Sequence, residues 1–326
     1  MHIASANLVL TMVLSMNAAD LEPGRQLRKD GKLDEAIAFF QQALEAEPAS
    51  PEILLELGHA FVLAGRYDEA IETYQPLASQ NLRWQLDAAK WTALAHLYHG
   101  NIAASLEQRG VEERLAAQLG ENAAASSAAR QVGYLYSEIE QFASANDAFV
   151  SALNRDPNDI QTLYLMALLA VRQGDWGSLR YQILDLEPVA ARSHDPALAG
   201  LVDHLNAELA ISRGDEGEAL ELLGRSATQN AMVLEARARA YAQHGDLARA
   251  EAAYQSIVDA TDERLEFPLV YVKALLGEAK VLDAQGRREE AASFYRRFLE
   301  HWGNTEGPLP GVAEARSGLQ RDASQP

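Results

Sequence analysis

The chain has 326 residues, no cysteine, 48% hydrophobic residues and a formal net charge of −19. That length allows two ordinary domains or one long repeat array, and the apolar content excludes an intrinsically disordered chain. The acidic balance argues against a nucleic-acid binder, because phosphate contacts need clustered Lys and Arg, and the lack of cysteine removes disulfides, thiolate metal sites and cysteine nucleophiles. Ala, Leu, Glu, Arg and Gln dominate while Val, Ile and Thr are sparse, which favours helix over sheet.

In chain order, residues 1–19, MHIASANLVLTMVLSMNAA, carry no Asp, Glu, Lys or Arg. Their apolar run at 8–14 has the length of a signal-peptide core, and Ala18 and Ala19 are small enough for cleavage. No Lys or Arg precedes the run, and Met16 and Asn17 are poor residues just upstream of a cleavage site. Asp20 can cap a first helix that has Glu22 and Pro23 in its opening turn, which leaves 1–19 outside the pattern that follows. The reading taken is a signal peptide and a periplasmic or secreted chain. The alternative is a cytoplasmic chain whose first apolar turn packs on the next helices. Beyond the N-terminus no run of eighteen or more uncharged apolar residues occurs, so no transmembrane span is expected in the mature chain.

Gly24, Gly31, Ala36 and Phe40 recur 34 residues on as Gly58, Gly65, Ala70 and Tyr74. A fixed period of that length implies a helix–turn–helix unit. Gly24 and Gly58 let two helices approach closely, and Gly31 and Gly65 turn the chain between them. Ala36 and Ala70 are small contacts of the second helix, and Phe40 and Tyr74 fill the space between units. Asp30-Gly31 alone would suggest a β-hairpin, but its flanks have helical spacing, so no sheet is expected. Later units carry Val132, Gly133, Tyr136, Phe142, Ala145, Phe149 and Pro157, then Gly174, Trp176, Leu179 and Ile183. Gly214, Ala219 and Leu223 follow, then Gly245, Leu247, Ala250 and Tyr254, and finally Gly286, Ala291 and Tyr295. Seven such units in order resemble the tetratricopeptide repeat (TPR) family over nearly all of 17–305.

The resemblance implies an all-α fold, a right-handed α-solenoid of stacked helix–turn–helix repeats, about eight hairpins in all. The expected organisation is a signal peptide over 1–19, two repeats over 20–84, a divergent helical hairpin over 85–125, repeats over 126–193 and 194–305, and a capping helix with a tail over 306–326. The stretch 187–199, EPVAARSHDPALA, reads as an irregular link that could bend the array.

No motif of catalysis or phosphate binding occurs: H-E-x-x-H, G-x-S-x-G, G-x-G-x-x-G and the P-loop pattern are all missing. His96 and His99 lie three apart on a helix, yet no third ligand is evident nearby, so two imidazoles on a helix flank is the preferred reading and no metal or cofactor is expected. The chain is read as no enzyme. Its surface is the remaining candidate. Similarity to the TPR family places the first helix of each unit along a concave groove. By that register the first repeat contributes Leu21, Arg25, Arg28 and Lys29, and the second Leu55, His59, Val62 and Leu63. The unit from 126 contributes Arg130, Tyr134, Ser137 and Glu138, and the next Tyr164, Leu168, Val171 and Arg172. Arg239, Lys273 and Lys280 come from later units.

A chain of strongly negative charge thus collects Arg, Lys and Tyr on one face. The plain reading is ordinary solvated helix residues. The functional reading is a groove for a protein or peptide segment of acidic character, anchored by Arg and Tyr. One TPR subfamily clamps the acidic C-terminus of heat-shock chaperones with Lys, Asn, Asn, Lys and Arg; here Arg25 and His59 stand where Asn is wanted, so that clamp is not expected. The function implied is a non-catalytic interaction scaffold or assembly adaptor, similar, if exported, to TPR proteins that help assemble envelope or secretion machinery. The alternative is a peptide-responsive regulatory or sensing module of a larger signalling system.

Overall fold

The computed structural model describes residues 20–225, 231–303, 305, 309 and 311–323. The expected signal peptide and its cleavage lie outside the described residues. Among those described there are 18 α-helices and no strand. The chain divides into two compact units: residues up to Leu119 with Thr261–Pro268, and Gly120–Ala260 with Leu269–Pro326.

In the first unit, helices α1 (Glu22–Lys29) and α2 (Leu33–Ala46), α3 (Pro51–Leu63) and α4 (Tyr67–Tyr74), and α5 (Leu82–Tyr98) and α6 (Ile102–Gln118) form three hairpins. Pro23 and Pro51 stand in the opening turns of α1 and α3, where a missing N–H costs nothing. The N-cap position is Leu21 rather than the expected Asp20, whose carboxylate, one residue earlier, accepts the Glu22 amide at 3.1 Å. The turns inside the first two hairpins run through Gly31 and Gly65 at φ 71° and 76°, a left-handed backbone that other residues resist. Pro76 ends α4 early and opens the 3₁₀ turn Gln75–Ser79. Asn81 and Asn101 cap α5 and α6, accepting amides of Arg83, Trp84 and Ala104, so the stretch lacking the repeat signature still forms a regular hairpin.

The second unit holds α7 (Asn122–Glu138) and α8 (Phe142–Arg155), α9 (Ile160–Gln173) and α10 (Trp176–Ser193), α11 (Pro196–Ser212) and α12 (Glu216–Arg225), α13 (Ala231–His244) and α14 (Leu247–Asp259), then α16 (Pro268–Ala284) and α17 (Arg288–Trp302), closed by α18 (Val312–Ala323). The short α15 (Glu263–Glu266) belongs to the first unit. Phe149, Tyr164, Leu179 and Leu205 centre one core cluster, and Leu223, Val233 and Ala236 another.

Phe40 and Tyr74, expected between units, lie instead inside their own hairpins. A Cβ on Gly24 would lie 2.5 Å from the Phe39 ring, one on Gly133 would lie 2.6 Å from Phe149, and one on Gly58 would overlap Tyr74. The first-helix glycine therefore receives the aromatic of its own hairpin. Only at the C-terminal end do Tyr254 and Tyr295 fill the space against the next helix, at Gly277 and Gly318. The link expected at 187–199 is mostly helix: α10 continues through Ser193 with Pro188 inside it. Only His194, at φ 53°, and Asp195, which caps α11 through the Ala197 amide at 2.9 Å, interrupt the chain.

Candidate partner-binding faces

The residues nominated by the register lie on the first helices of the hairpins within each unit. In the first unit, Arg25 Nε donates to Glu56 Oε1 at 2.6 Å, and Arg28, 7% exposed, donates to Asp262 Oδ2 at 3.4 Å with Glu56 3.6 Å away. Lys29 is exposed beside them. The His59 ring stands edge-on to Trp91, centroids 4.1 Å apart. Burial, reinforced by the charges of Arg28, Lys90 and Arg25, lowers its pKa well below the ordinary imidazole value, so His59 is neutral at pH 7. Leu21, Val62 and Leu63 are buried around this cluster, and Leu55 is half-buried.

In the second unit the register brings together Tyr134, Arg172, Arg239, Lys273 and Lys280, around adjoining cavities of about 560 and 290 Å³. Their charges do not stand alone. Arg172 ion-pairs with Glu138, and Lys273 Nζ lies 3.5 Å from the other oxygen of that carboxylate. Arg239 holds Glu208 through both guanidinium nitrogens, at 3.1 and 2.5 Å, and reaches Glu235 at 3.5 Å. Lys280 pairs with Glu314 at 3.1 Å. Burial pushes the Glu208 carboxyl up, but the Arg239 charge and hydrogen bonds from His204 and Arg239 outweigh it and hold the group well below the usual carboxylate range. Glu235 is also lowered: Arg239 and Lys273 overcome its burial. Arg239 is raised, since Glu208 and Glu235 together overcome the desolvation of its cation. Glu208, Glu235 and Arg239 are therefore ionised at neutral pH.

Two nominated residues sit differently. Tyr164 is 1% exposed, and its hydroxyl donates to His204 Nδ1 at 2.6 Å while His204 Nε2 reaches Glu208 at 3.3 Å. It anchors the floor beneath the network. Arg130 faces Asp159 at 2.5 Å; the same carboxylate accepts the hydroxyls of Ser126 and Thr162 and caps α9 through the Thr162 amide. Arg130 lines neither cavity.

His204, Glu208 and Glu235 are the members the sequence did not nominate. The signal for Glu208 is a sign alternation at one groove position on successive first helices, Glu138, Arg172, Glu208 and Arg239, with a second cation, Lys273, after it. His204 and Glu235 lie four residues before Glu208 and Arg239. The period drifts after 193, and without a register for α11 the acidic steps cannot be placed. Apolar side chains of Leu276, Val281, Phe298 and Trp302 line the larger cavity. Among the described residues no group of three or more His, Cys, Asp or Glu could hold a metal ion. His99 lies 3.4 Å from Asp68 and beside the Tyr67 ring.

Hairpins of this size, with glycine turns and a small residue facing a large one inside several of them, define a helical-repeat protein. Two tetratricopeptide repeat family models match, over residues 27–97 and 235–309. The chain belongs to the tetratricopeptide repeat family. Among curated proteins it is 26% identical to cellulose synthase operon protein C of Pseudomonas fluorescens (strain SBW25) over 61% of this chain and 16% of that protein. The protein of the same name from Komagataeibacter xylinus is 29% identical over 60% of this chain and 15% of its own length. The chain thus spans less than a fifth of these relatives. Among solved structures, yeast Tom70 aligns over 91% of this chain and 61% of that chain, with 16% identity and TM-score 0.48. A tetratricopeptide repeat protein from Parabacteroides merdae ATCC 43184 aligns over 92% and 96%, with 16% identity and TM-score 0.41. Among the described residues no helix is long and apolar enough to cross a membrane.

Proposed function

We propose that the chain is a non-catalytic interaction scaffold that holds a partner segment along the first-helix face of its second unit. Proteins of this fold serve in general as protein-interaction scaffolds. The observation that carries the proposal here is the convergence of Tyr134, Arg172, Arg239, Lys273 and Lys280 on cavities that also have an apolar wall. Rigid aromatics and arginines beside an apolar pocket are what a protein anchor needs. Arg172 and Arg239 are committed to buried carboxylates. The cations a ligand can recruit are Lys273 and Lys280, whose side chains are 31% and 51% exposed. The segment that fits has acidic residues for these two lysines and an apolar side chain for the wall of Leu276, Val281 and Phe298. Arg25, Arg28, Lys29 and His59 extend the same kind of surface on the first unit.

The test is crosslinking and pull-down from the native cell with the chain carrying Lys273→Gln and Lys280→Gln. Glu314 is exposed, so Lys280→Gln should change stability by less than about 0.5 kcal/mol. Lys273→Gln, which removes a charge facing buried Glu138 and Glu235, should cost about 1–3 kcal/mol with helical content unchanged. Captured partner is expected to fall at least tenfold. Undiminished capture would place the binding surface elsewhere.

The names of the relatives attach them to a cellulose synthase operon, and the matched part is a small share of their length. That similarity supports a shared repeat scaffold rather than the whole relative's activity. Together with the uncharged start at 1–19, it supports export to the periplasm or beyond. Protein isolated from its native cell should then lack Met1; N-terminal sequencing that finds Met1 intact would overturn export.

A further inference from the structure

The first unit is completed by a piece of chain from far downstream. The segment Thr261–Pro268, sequence TDERLEFP, packs its single-turn helix α15 against α3, a first helix of that unit. Asp262 meets Arg28 across 234 residues of sequence, and the Tyr98 hydroxyl donates to the Arg264 carbonyl at 2.6 Å. An acidic, short helical segment therefore already occupies the face where the repeat register gathers Arg25, Arg28 and His59.

Its seat is incompletely satisfied. Arg28 has five N–H donors, yet its hydrogen bond to Asp262 is a single long one of 3.4 Å. Arg28 Nε and Nη1, Asp262 Oδ1, Glu56 Oε2 and His59 Nε2 are buried with no hydrogen-bond partner. Buried polar atoms without partners cost stability, whereas a carboxylate set squarely against a guanidinium makes two short, parallel bonds. A competing carboxylate set against Nη2 together with either Nε or Nη1 of Arg28 makes two bonds where the resident makes one long one.

We propose that the Arg28 seat of the first unit is a docking site for an acidic helical segment supplied by another protein, and that Thr261–Pro268 is its resident, displaceable occupant. The occupant supplies the chemistry of the ligand: an Asp for Arg28, a backbone carbonyl for Tyr98, and apolar side chains spaced as Leu265 and Phe267. In cis the segment acts at the high effective concentration of a tethered ligand, so the groove is closed to weak competitors. The seat involves neither Lys273 nor Lys280.

The probe is a fluorescently labelled peptide of residues 260–268, titrated by anisotropy against the full chain. Asp262→Arg places a like charge against Arg28 and should expel the resident, so the peptide is expected to bind this variant at least tenfold tighter than the wild type. Hydrogen exchange at 261–268 should accelerate in the same variant. A peptide with Asn at the Asp262 position should lose most of that affinity, which tests the Arg28 contact without altering the protein; Arg28→Gln in the Asp262→Arg background should do the same. Equal binding to wild type and Asp262→Arg, no binding to either, or indifference to the Asn peptide would each overturn the proposal. Lys273→Gln and Lys280→Gln should leave peptide binding unchanged, so failure here and failure of the second-unit reading are separable.

Discussion

Glu278 shows how one carboxyl can work against its own fold. It lies on α16, 1% exposed, and its Oε2 has no hydrogen-bond partner. Burial, then repulsion from Glu251, Asp259 and Glu290 only partly offset by Arg287, pushes its pKa from 4.5 up to about 7. The native state therefore binds a proton that the unfolded chain has released. Stability is at its full value below about pH 4.5, falls as pH rises from there to about 7, and is level beyond. Glu278→Gln removes that slope and should stabilise the protein by about 1–3 kcal/mol at pH 8 with little effect at pH 4, read by denaturant unfolding at the two values. At the same scale, Gly58 and Tyr74 were legible as a small and an aromatic repeat position, but the ring was expected between units, whereas it fills the space left by Gly58 inside its own hairpin. The depth of Tyr164 was not legible. Its register position says which way it points, while its burial depends on His204, whose helix the repeat period does not reach.

Single turns separate the helices, and one of them departs from the rule. Glycine occupies the left-handed position in seven of the eight turns within hairpins: Gly31, Gly65, Gly100, Gly174, Gly214, Gly245 and Gly286. Between α7 and α8 the position is Glu140, at φ 60°. A side chain there crowds the following carbonyl at a cost of about 1–2 kcal/mol. Glu140→Gly should therefore raise stability by roughly 1 kcal/mol, less a small entropic loss, seen as a higher melting temperature with unchanged helical content. The helices were legible because their glycines and alanines repeat. The hairpin over 85–125 was legible only as an exception, since Asn81 and Asn101 start its helices with caps that carry no family signature. Pro188 misled for a physical reason: proline discourages the helix of the residues before it, but packing of Leu179, Ile183 and Leu186 carries α10 through it.

Across the molecule the same asymmetry between near and far holds. The nominated cations of the second unit share a face. Of their carboxylate partners, Glu208 lies on α11, where the spacing has drifted, and Glu235 and Glu314 fall outside the nominated positions. The sequence therefore displayed a cationic stripe where the fold pairs each cation with a carboxylate. In the proposed partner-binding role, paired opposite charges would set register and exclude a partner with the wrong order, and the apolar wall would supply most of the affinity. The contact between Arg28 and Asp262 could not be anticipated at all, because nothing local to either residue refers to the other.

The division of the first unit between the two sides of residues 120–260 also orders events during synthesis. At about 5–20 residues per second, a ribosome needs roughly 7–30 seconds to pass from Leu119 to Thr261. Throughout that interval the first three hairpins are made and Asp262 is not, so the Arg28 seat is open on every newly made chain. A nascent molecule can therefore be loaded by a partner before its own segment arrives, whereas a finished one must be pried open.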